Sequence, residues 1–256
     1  MTPRNLAFST TAVAAALWGA QVQADESHAR ALFAAMSEYM AQQTAFSFDY
    51  DSTLDIVTTE GQKLAIASSG NVSLQRPDKL YATRNGGFAS IEAGFDGKTL
   101  TLFDSGANVL ARVELAGTVE TLIDELRDTY RRPMPAADLL LADVEGTLGP
   151  LFIDVKDLGS GIIRNQECDH LAFRTEWADL QVWIAQSDAP FPCRYTVTSI
   201  QTDGAPDYTV DVYNWKVGSE AVSVAQIAAP DGATVVAPGD VPDLDELSGN
   251  YVVEGK

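Results

Sequence analysis

The hydrophobic positions of the chain follow two different periods, and the changes between them mark its elements. Over residues 26–43 apolar side chains recur at helical spacing, which predicts an amphipathic helix. Over residues 46–56 apolar and polar positions alternate, which is typical of a strand with one buried face. The helical period returns over residues 117–131, and the shorter apolar segments 136–141 and 144–148 are predicted as two further helices.

Strands are predicted on both sides of this helical insertion. Turn signals such as Asn85-Gly86 and Asp96-Gly97 separate them, so consecutive strands are expected to pair as antiparallel hairpins. A sheet of about 11 strands is too large to stay flat, so we expect a strongly curved antiparallel sheet that curls or closes partly into a barrel, with helices covering its concave face. The expected fold class is therefore α+β. The predicted strands are 46–56, 64–74, 79–84, 90–95, 99–104, 109–114, 152–156, 161–165, 168–174, 180–185, 194–202 and 208–217.

The first 24 residues form a segment of a different kind. Arg4 precedes an apolar stretch over residues 6–18, and Val22-Gln23-Ala24 is a small-x-small cleavage site. This order predicts an export signal cleaved after Ala24, because the apolar stretch is too short to span a membrane. No cysteine follows that stretch to carry a lipid, so we expect an exported protein without a stable membrane anchor. The half-barrel domain is expected over residues 25–227, and a tail rich in Pro, Gly and Asp over residues 228–256, lying loosely on the surface.

The charge of the chain narrows the choice of partners. Residues 1–24 hold one basic and no acidic residue, so their removal changes the formal net charge from −19 to −20. Nucleic acid and anionic membrane surfaces repel such a chain, because both bind clustered Lys and Arg. The acidity indicates a soluble protein; the alternative is an acidic face for a basic partner.

The two cysteines, Cys168 and Cys193, are expected to form a disulfide once the protein is exported. On the loop-entropy model the bridge contributes roughly 3 kcal/mol. In a simple meander one strand separates the two cysteines, so residues 188–192 must curl over the end of that strand to bring them together. Free thiols are the alternative. Two thiols and two histidines, His28 and His170, make a zinc site an unfavoured interpretation, and no metal is predicted.

Two clusters carry candidate chemistry. His170 follows Asp169 and is a possible general base, but adjacent strand residues point to opposite faces, which favours a structural role. Asp49, Asp51 and Asp55 share one strand face, where a solvated surface is favoured over a calcium site. No nucleophile-elbow motif is present, so we predict no catalytic residues, no cofactor and no enzymatic activity, with a hydrolase as the weakest alternative.

Four segments point to a known family: 76–80 (RPDKL), 95–103 (FDGKTLTLF), 135–140 (PAADLL) and 168–174 (CDHLAFR). Because of these segments, the chain over about residues 28–218 resembles domain of unknown function 2092, a family of predicted bacterial periplasmic proteins. That family is grouped with the LolA/LolB-like lipoprotein carriers. The resemblance implies an unclosed β-barrel with helices as a lid, and a hydrophobic cavity between them that holds acyl chains.

We therefore expect a binding protein for a hydrophobic small molecule, a lipid or the acyl chains of a lipoprotein. The alternative is a sensor or scaffold with a filled core that binds an envelope protein through its surface, for which Trp177 is a candidate contact. Ordinary core packing is also an alternative for each cavity residue. The expected cavity residues are Leu32, Met36, Phe46, Phe48, Leu74, Leu100, Leu102, Leu122, Leu126, Leu140, Phe173 and Trp183.

Overall fold

The structure is a computed structural model and describes residues 26–87, 89–129, 137–220, 222 and 224–241. The predicted export signal, the proline and arginines at residues 131–133 and the end of the chain lie outside the described residues.

Within the described residues, twelve strands form one sheet. Its spatial order is β12-β6-β5-β4-β3-β2-β1-β11-β10-β9-β8-β7, and neighbours are antiparallel except for the parallel pair of β12 and β6. Because β12 and β7 end the order without pairing to each other, the barrel is unclosed, as the family resemblance implies. The strands are β1 Ala45–Val57, β2 Lys63–Gln75, β3 Lys79–Gly86, β4 Ser90–Phe95, β5 Thr99–Asp104, β6 Val109–Glu114, β7 Asp154–Ile163, β8 Gln166–Arg174, β9 Ala178–Ala185, β10 Pro192–Ser199, β11 Asp207–Val217 and β12 Thr234–Val236.

The helices occur where the period of the pattern changes. They are α1 Glu26–Ala41, α2 Val119–Asp128 and α3 Val144–Leu148, with single 3₁₀ turns at Ala137–Leu140, Gly149–Leu151 and Pro238–Asp240. Thr118 caps α2, and its side chain and that of Thr121 accept reciprocal backbone hydrogen bonds as a capping box. The segment 136–141, predicted as a helix, is thus a single 3₁₀ turn over its described residues.

Two details of the sheet differ from the prediction. The separate strands expected at 152–156 and 161–165 are one strand, β7, with a register shift between Asp157 and Ser160. Gly159 adopts a φ of 83° there, which a side chain would strain, so a bulge interrupts the pattern without ending the strand. The tail expected to lie loosely on the surface also contributes β12 to the sheet and buries Val241 in the main core.

Gly70 on β2 allows two neighbouring strands to approach closely. It stays in register opposite Tyr50. A Cβ atom at Gly70 would lie 1.9 Å from the carbonyl oxygen of Thr83, a contact that no side chain tolerates. The hydroxyl of Tyr50 donates to that same oxygen across 2.9 Å, so the ring lies over the glycine and links β1 to β3.

The main core lies on one face of the sheet, under the helices. We call this face, which bears Phe46, Phe48 and Phe173, the inner face, and the opposite one the outer face. Helix α1 crosses β7, β8 and β9 on the inner side and buries Phe33, Met36 and Met40 against them. Helix α2 adds further buried side chains to the same core. The curved sheet and the helices thus form the two layers that the hydrophobic pattern predicts.

The disulfide between Cys168 and Cys193 is confirmed by the structure. Strand β9 does separate the two cysteines, but a register shift between Pro192 and Arg194 displaces the start of β10. The backbone of Ala185 donates to the carbonyl oxygen of Phe191 beyond the end of β9, and the Cα atoms of the cysteines come within 6.8 Å. The curl of residues 188–192 over the middle strand is therefore what makes the bridge possible.

Candidate functional site

A continuous row of apolar side chains crosses the inner face. Its members lie opposite one another on seven successive strands, β2, β1, β11, β10, β9, β8 and β7. At the usual strand spacing the row is about 29 Å long. We call it the inner row, and in the order of the strands it consists of Ile66, Leu54, Tyr208, Val197, Leu180, Phe173 and Val155.

The two ends of the inner row differ in how well they are covered. Near one end, Phe173 packs against Phe33 of α1, at 4.9 Å between ring centroids, and against Phe152, at 4.3 Å, and these two rings also contact each other. Phe173 is 2% exposed as a result. At the other end, Leu54 and Ile66 are only half-buried. The inner face is thus closed beneath α1 and partly open over the central strands.

Arg76, the residue directly after β2, connects the helices to the sheet. Its guanidinium donates to the carbonyl oxygens of Leu140 and Leu141 across 3.0 and 3.1 Å, and it pairs with Glu120 of α2 across 3.3 Å. It also lies 5.7 Å from the ring centroid of Phe46 on the inner face. One side chain therefore holds α2 and the Ala137–Leu140 turn, which we call the cover, against β2.

The environment of Arg76 is unusual for a cation. Its side chain is 13% exposed, and this burial lowers the pKa of the guanidinium, while the charge of Glu120 partly offsets the effect. Among the described residues nothing accepts a hydrogen bond from its Nε. Burial of an incompletely paired guanidinium costs free energy. The hydrogen bonds and the ion pair of Arg76 offset this cost only while all of its partners in the cover are in place.

The structure places most of the expected cavity residues in one cluster. Nine of them are buried in the main core, and Leu32 and Leu126 pack against it from partly buried positions. Whether they line a space for a ligand stays a prediction. The nine are Met36, Phe46, Phe48, Leu74, Leu100, Leu102, Leu122, Leu140 and Phe173.

Trp183 is the exception, and the expectation that it belongs to the inner face is wrong. Its neighbours Val182 and Ile184 point into the main core, so alternation along β9 directs Trp183 outward. There it stacks on His170, with 4.0 Å between ring centroids, and packs against the small cluster that contains Cys168. A second apolar cluster around the disulfide, which periodicity does not reveal, is what buries this ring.

The other candidate residues have structural surroundings. The imidazole of His170 shares a hydrogen bond with Gln181, and burial lowers the pKa of the imidazole. Asp169 accepts a hydrogen bond from Gln186, so it does not pair with His170. Trp177 is 55% exposed at its turn. That the protein has no enzymatic activity stays a prediction.

The acidic side chains on β1 are bonded within the outer face. Asp51 accepts hydrogen bonds from Ser69, Arg164 and Tyr213, and these bonds, that of Ser69 foremost, hold the pKa of the carboxyl below its usual value. Asp55 pairs with Lys63. Within the described part of the chain, no group of three His, Cys, Asp or Glu residues is arranged to hold a metal ion.

The sheet, the cover and the inner row define the class: a helix-covered, unclosed antiparallel β-barrel with an apolar inner face. The chain belongs to the DUF2092 family of predicted periplasmic proteins, whose model matches residues 29–237. No helix in the described ranges combines the length and the apolar character that a membrane span requires. No curated protein matches the sequence.

Several solved structures are similar to the chain at low sequence identity. An uncharacterised conserved protein from Thermus thermophilus is 10% identical, with 82% of this chain and 99% of that chain covered and a TM-score of 0.46. The lipoprotein LppX from Mycobacterium tuberculosis is 14% identical, with 78% and 100% covered and a TM-score of 0.46. A LolA superfamily protein from Nitrosomonas europaea is 11% identical, with 75% and 94% covered and a TM-score of 0.33.

Proposed function

We propose that the protein binds a hydrophobic or lipid-like ligand between the inner face of the sheet and the cover. The observation that carries this proposal is the inner row, in which the hydroxyl of Tyr208 is the one polar group between the closed end at Phe173 and the open end at Leu54 and Ile66. A soluble protein that leaves part of such a row uncovered exposes apolar surface to water. A ligand with an extended apolar chain would remove that surface from water.

The energetics of the proposal require no chemistry beyond burial. Each methylene group transferred from water to the inner face contributes about 0.8 kcal/mol. A chain of several methylene groups therefore supplies enough free energy for stable binding, even after the cost of ordering it. Tyr208, the one inner-row residue with a hydroxyl group, lies among the half-buried members and is suited to the wetter part of the ligand.

The cover gives the ligand a route of entry in this proposal. Helix α2 and the Ala137–Leu140 turn are tied to β2 by the hydrogen bonds and the ion pair of Arg76 rather than by strand pairing. The backbone N–H of Val119 also donates to the carbonyl oxygen of Pro77, and both parts of the cover bury apolar side chains in the main core, so loss of the Arg76 contacts weakens the cover without breaking a hydrogen bond of the sheet. We infer that a ligand enters and leaves by displacement of the cover and that Arg76 sets how readily this occurs.

Native mass spectrometry and a fluorescent fatty acid test the proposal with a matched pair of variants. Leu54 faces the inner row, and its chain neighbour Thr53 is exposed on the outer face of the same strand. Protein purified from the periplasm is expected to carry lipid or to take up the fatty acid. The L54Q variant should bind it about tenfold more weakly, whereas T53Q should bind it as the wild type does.

A sensor or scaffold that binds a protein is the second candidate, and one observation favours it. Strand β7 ends the sheet, and it and the residues before it expose apolar side chains, with Ile153 at 70%, Ile162 at 67% and Leu158 at 47% exposure. An edge strand with exposed apolar residues can pair with an extended segment of another protein. Two results together would favour this function over the first. The purified protein would carry no lipid and take up no fatty acid, and it would bind a partner protein in a manner that I153K abolishes.

A further inference from the structure

A groove lies on the outer face of the sheet, on the opposite side from the inner row. Its volume is about 500 Å³, within the range of ordinary ligand sites. Phe48 and Trp215 also line it, although their rings pack against each other in the main core on the inner face, with 4.6 Å between centroids. Polar side chains from three neighbouring strands make up the rest, namely Ser47 and Asp49 of β1, Asn71 and Ser73 of β2, and Asn214 and Lys216 of β11. We call it the outer groove.

A bulge in β11 shapes the outer groove. The pairing of β1 with β11 shifts between Ser47 and Asp49, so β11 has one residue more than β1 at this point. Asn214 adopts a φ of 55° there, and its side-chain amide donates to Asp49 across 2.8 Å. Bulges are common beside functional sites because they redirect side chains without ending the strand. The amide of Asn214 is thereby held in place at the groove.

Several polar side chains of the groove lack a partner among the described residues. In the described part of the chain, no hydrogen bond or ion pair engages the side chains of Ser47, Asn71, Ser73 or Lys216. Two hydroxyls, an amide and an ammonium group therefore face the groove with their hydrogen-bonding capacity unused. Elsewhere on the same face the polar residues are paired, as Asp51 is with Arg164 and Ser69.

The charges and flanking groups narrow the class of ligand. Asp49 and Lys216 carry opposite charges, so the groove has little net charge, and the formal net charge of −19 for the whole chain disfavours an anion. Tyr81 lies opposite Ser73 on β3, and Tyr213 lies opposite Asp49 on β11. Tyr81 therefore offers a flat aromatic group beside the groove on one side, whereas the ring of Tyr213 on the other side is covered by the guanidinium of Arg164, 3.7 Å from its centroid.

We propose that the outer groove binds a neutral saccharide, a ligand with hydroxyl groups around a rigid ring and apolar ring faces. The strand spacing of about 4.8 Å places the hydrogen-bonding groups of the groove as a fixed two-dimensional array, which such a ring can meet without large changes in the protein. The site is separate from the inner row, so it does not depend on the proposed lipid-like ligand.

The test uses two leucine substitutions on the outer face of β1. Ser47 lies in the outer groove, and Thr53 lies on the same face of the same strand outside it. The probe is the β-1,4-linked disaccharide of N-acetylglucosamine, titrated by calorimetry or by ligand-detected NMR. Saturable binding is expected for the wild type and for T53L, with a loss of about tenfold or more for S47L.

A second variant keeps the proposal testable if S47L does not fold. N214G retains a residue that tolerates the positive φ and removes only the amide, so its fold should be intact and its affinity lower. Co-sedimentation with isolated peptidoglycan distinguishes a polymeric saccharide from a free one, and either supports the proposal. The proposal would be overturned if the wild type showed no saturable binding, or if S47L and N214G bound the disaccharide as tightly as the wild type does.

Discussion

Arg76 donates a hydrogen bond to the carbonyl oxygen of Leu140 across 3.0 Å, and these two residues are 64 positions apart in the chain. The bond joins the end of β2 to the last residue of the Ala137–Leu140 turn. Arg76 also reaches Leu141 and Glu120, so its side chain adds polar contacts to the core packing that holds the cover on the sheet. Substitution of this residue should therefore change the cover more than the sheet.

The first prediction concerns the cover. R76M keeps an apolar stem against Phe46 but loses every hydrogen bond and the ion pair, so we expect a loss of about 2 kcal/mol in the free energy of unfolding. Hydrogen exchange should accelerate in α2 and the Ala137–Leu140 turn and stay unchanged in β1 and β11. R112M, at an exposed position of β6, serves as the control. Equal protection of α2 in R76M and wild type would contradict the role of Arg76.

The closed end of the inner row predicts a large packing effect. F173A leaves a cavity beside the rings of Phe33 and Phe152, so the free energy of unfolding in urea should fall by about 3–5 kcal/mol. V235A, at a position that is 73% exposed, should change it by less than about 0.5 kcal/mol. A small effect of F173A would mean that the rings around it close the gap or are not packed as described.

The disulfide predicts a thiol count and a stability change. Denatured, unreduced protein should contain no titratable thiol, because Cys168 and Cys193 are bridged. The double variant C168A/C193A should lose about 3 kcal/mol, since its unfolded state is no longer constrained. Two reactive thiols in denatured protein would show that the bridge does not form.

Asp51 predicts a dependence of stability on pH. The hydrogen bond from Ser69, with those from Arg164 and Tyr213, lowers the pKa of the folded carboxyl below its usual value. The stabilisation is therefore complete above the unfolded pKa of about 3.9 and disappears as the pH falls through the lower folded pKa. D51N should be less stable than wild type at neutral pH, and the difference should shrink below about pH 4.

The control for this pH dependence is D203N, because Asp203 is exposed in the turn before β11. Its stability should follow that of the wild type at every pH. A D51N variant whose difference from the wild type stays constant between neutral pH and about pH 2 would show that the carboxylate of Asp51 contributes no pH-dependent stability.

The elements that the sequence predicts well are those with long local patterns. The alternation over residues 46–56 identifies both faces of β1, and the helical spacing over residues 26–43 identifies α1, because one buried face determines each period. Strand β12 has only three residues and pairs with β6 in parallel, so no local signal marks it. Its position depends on contacts between distant parts of the chain.

The candidate site is predictable only in part for the same reason. Hydrophobicity selects the core residues but does not assign a face, and Trp183 lies outward because the disulfide cluster buries it there. The alternation of Leu180, Val182 and Ile184 along β9 does contain the signal that places Trp183 on the other face. Arg76 belongs to the motif that carries the family resemblance, yet its bonds to Leu140 and Glu120 depend on the fold.

Photocrosslinking with a diazirine-bearing fatty acid tests the central proposal most directly. After irradiation and digestion, mass spectrometry locates the labelled residues. The account predicts labels on the inner-row positions of β1, β10 and β11, namely Leu54, Val197 and Tyr208, and their loss when unlabelled fatty acid competes. Labels confined to the outer face, or no labelling that competitor reduces, would contradict ligand binding at the inner face.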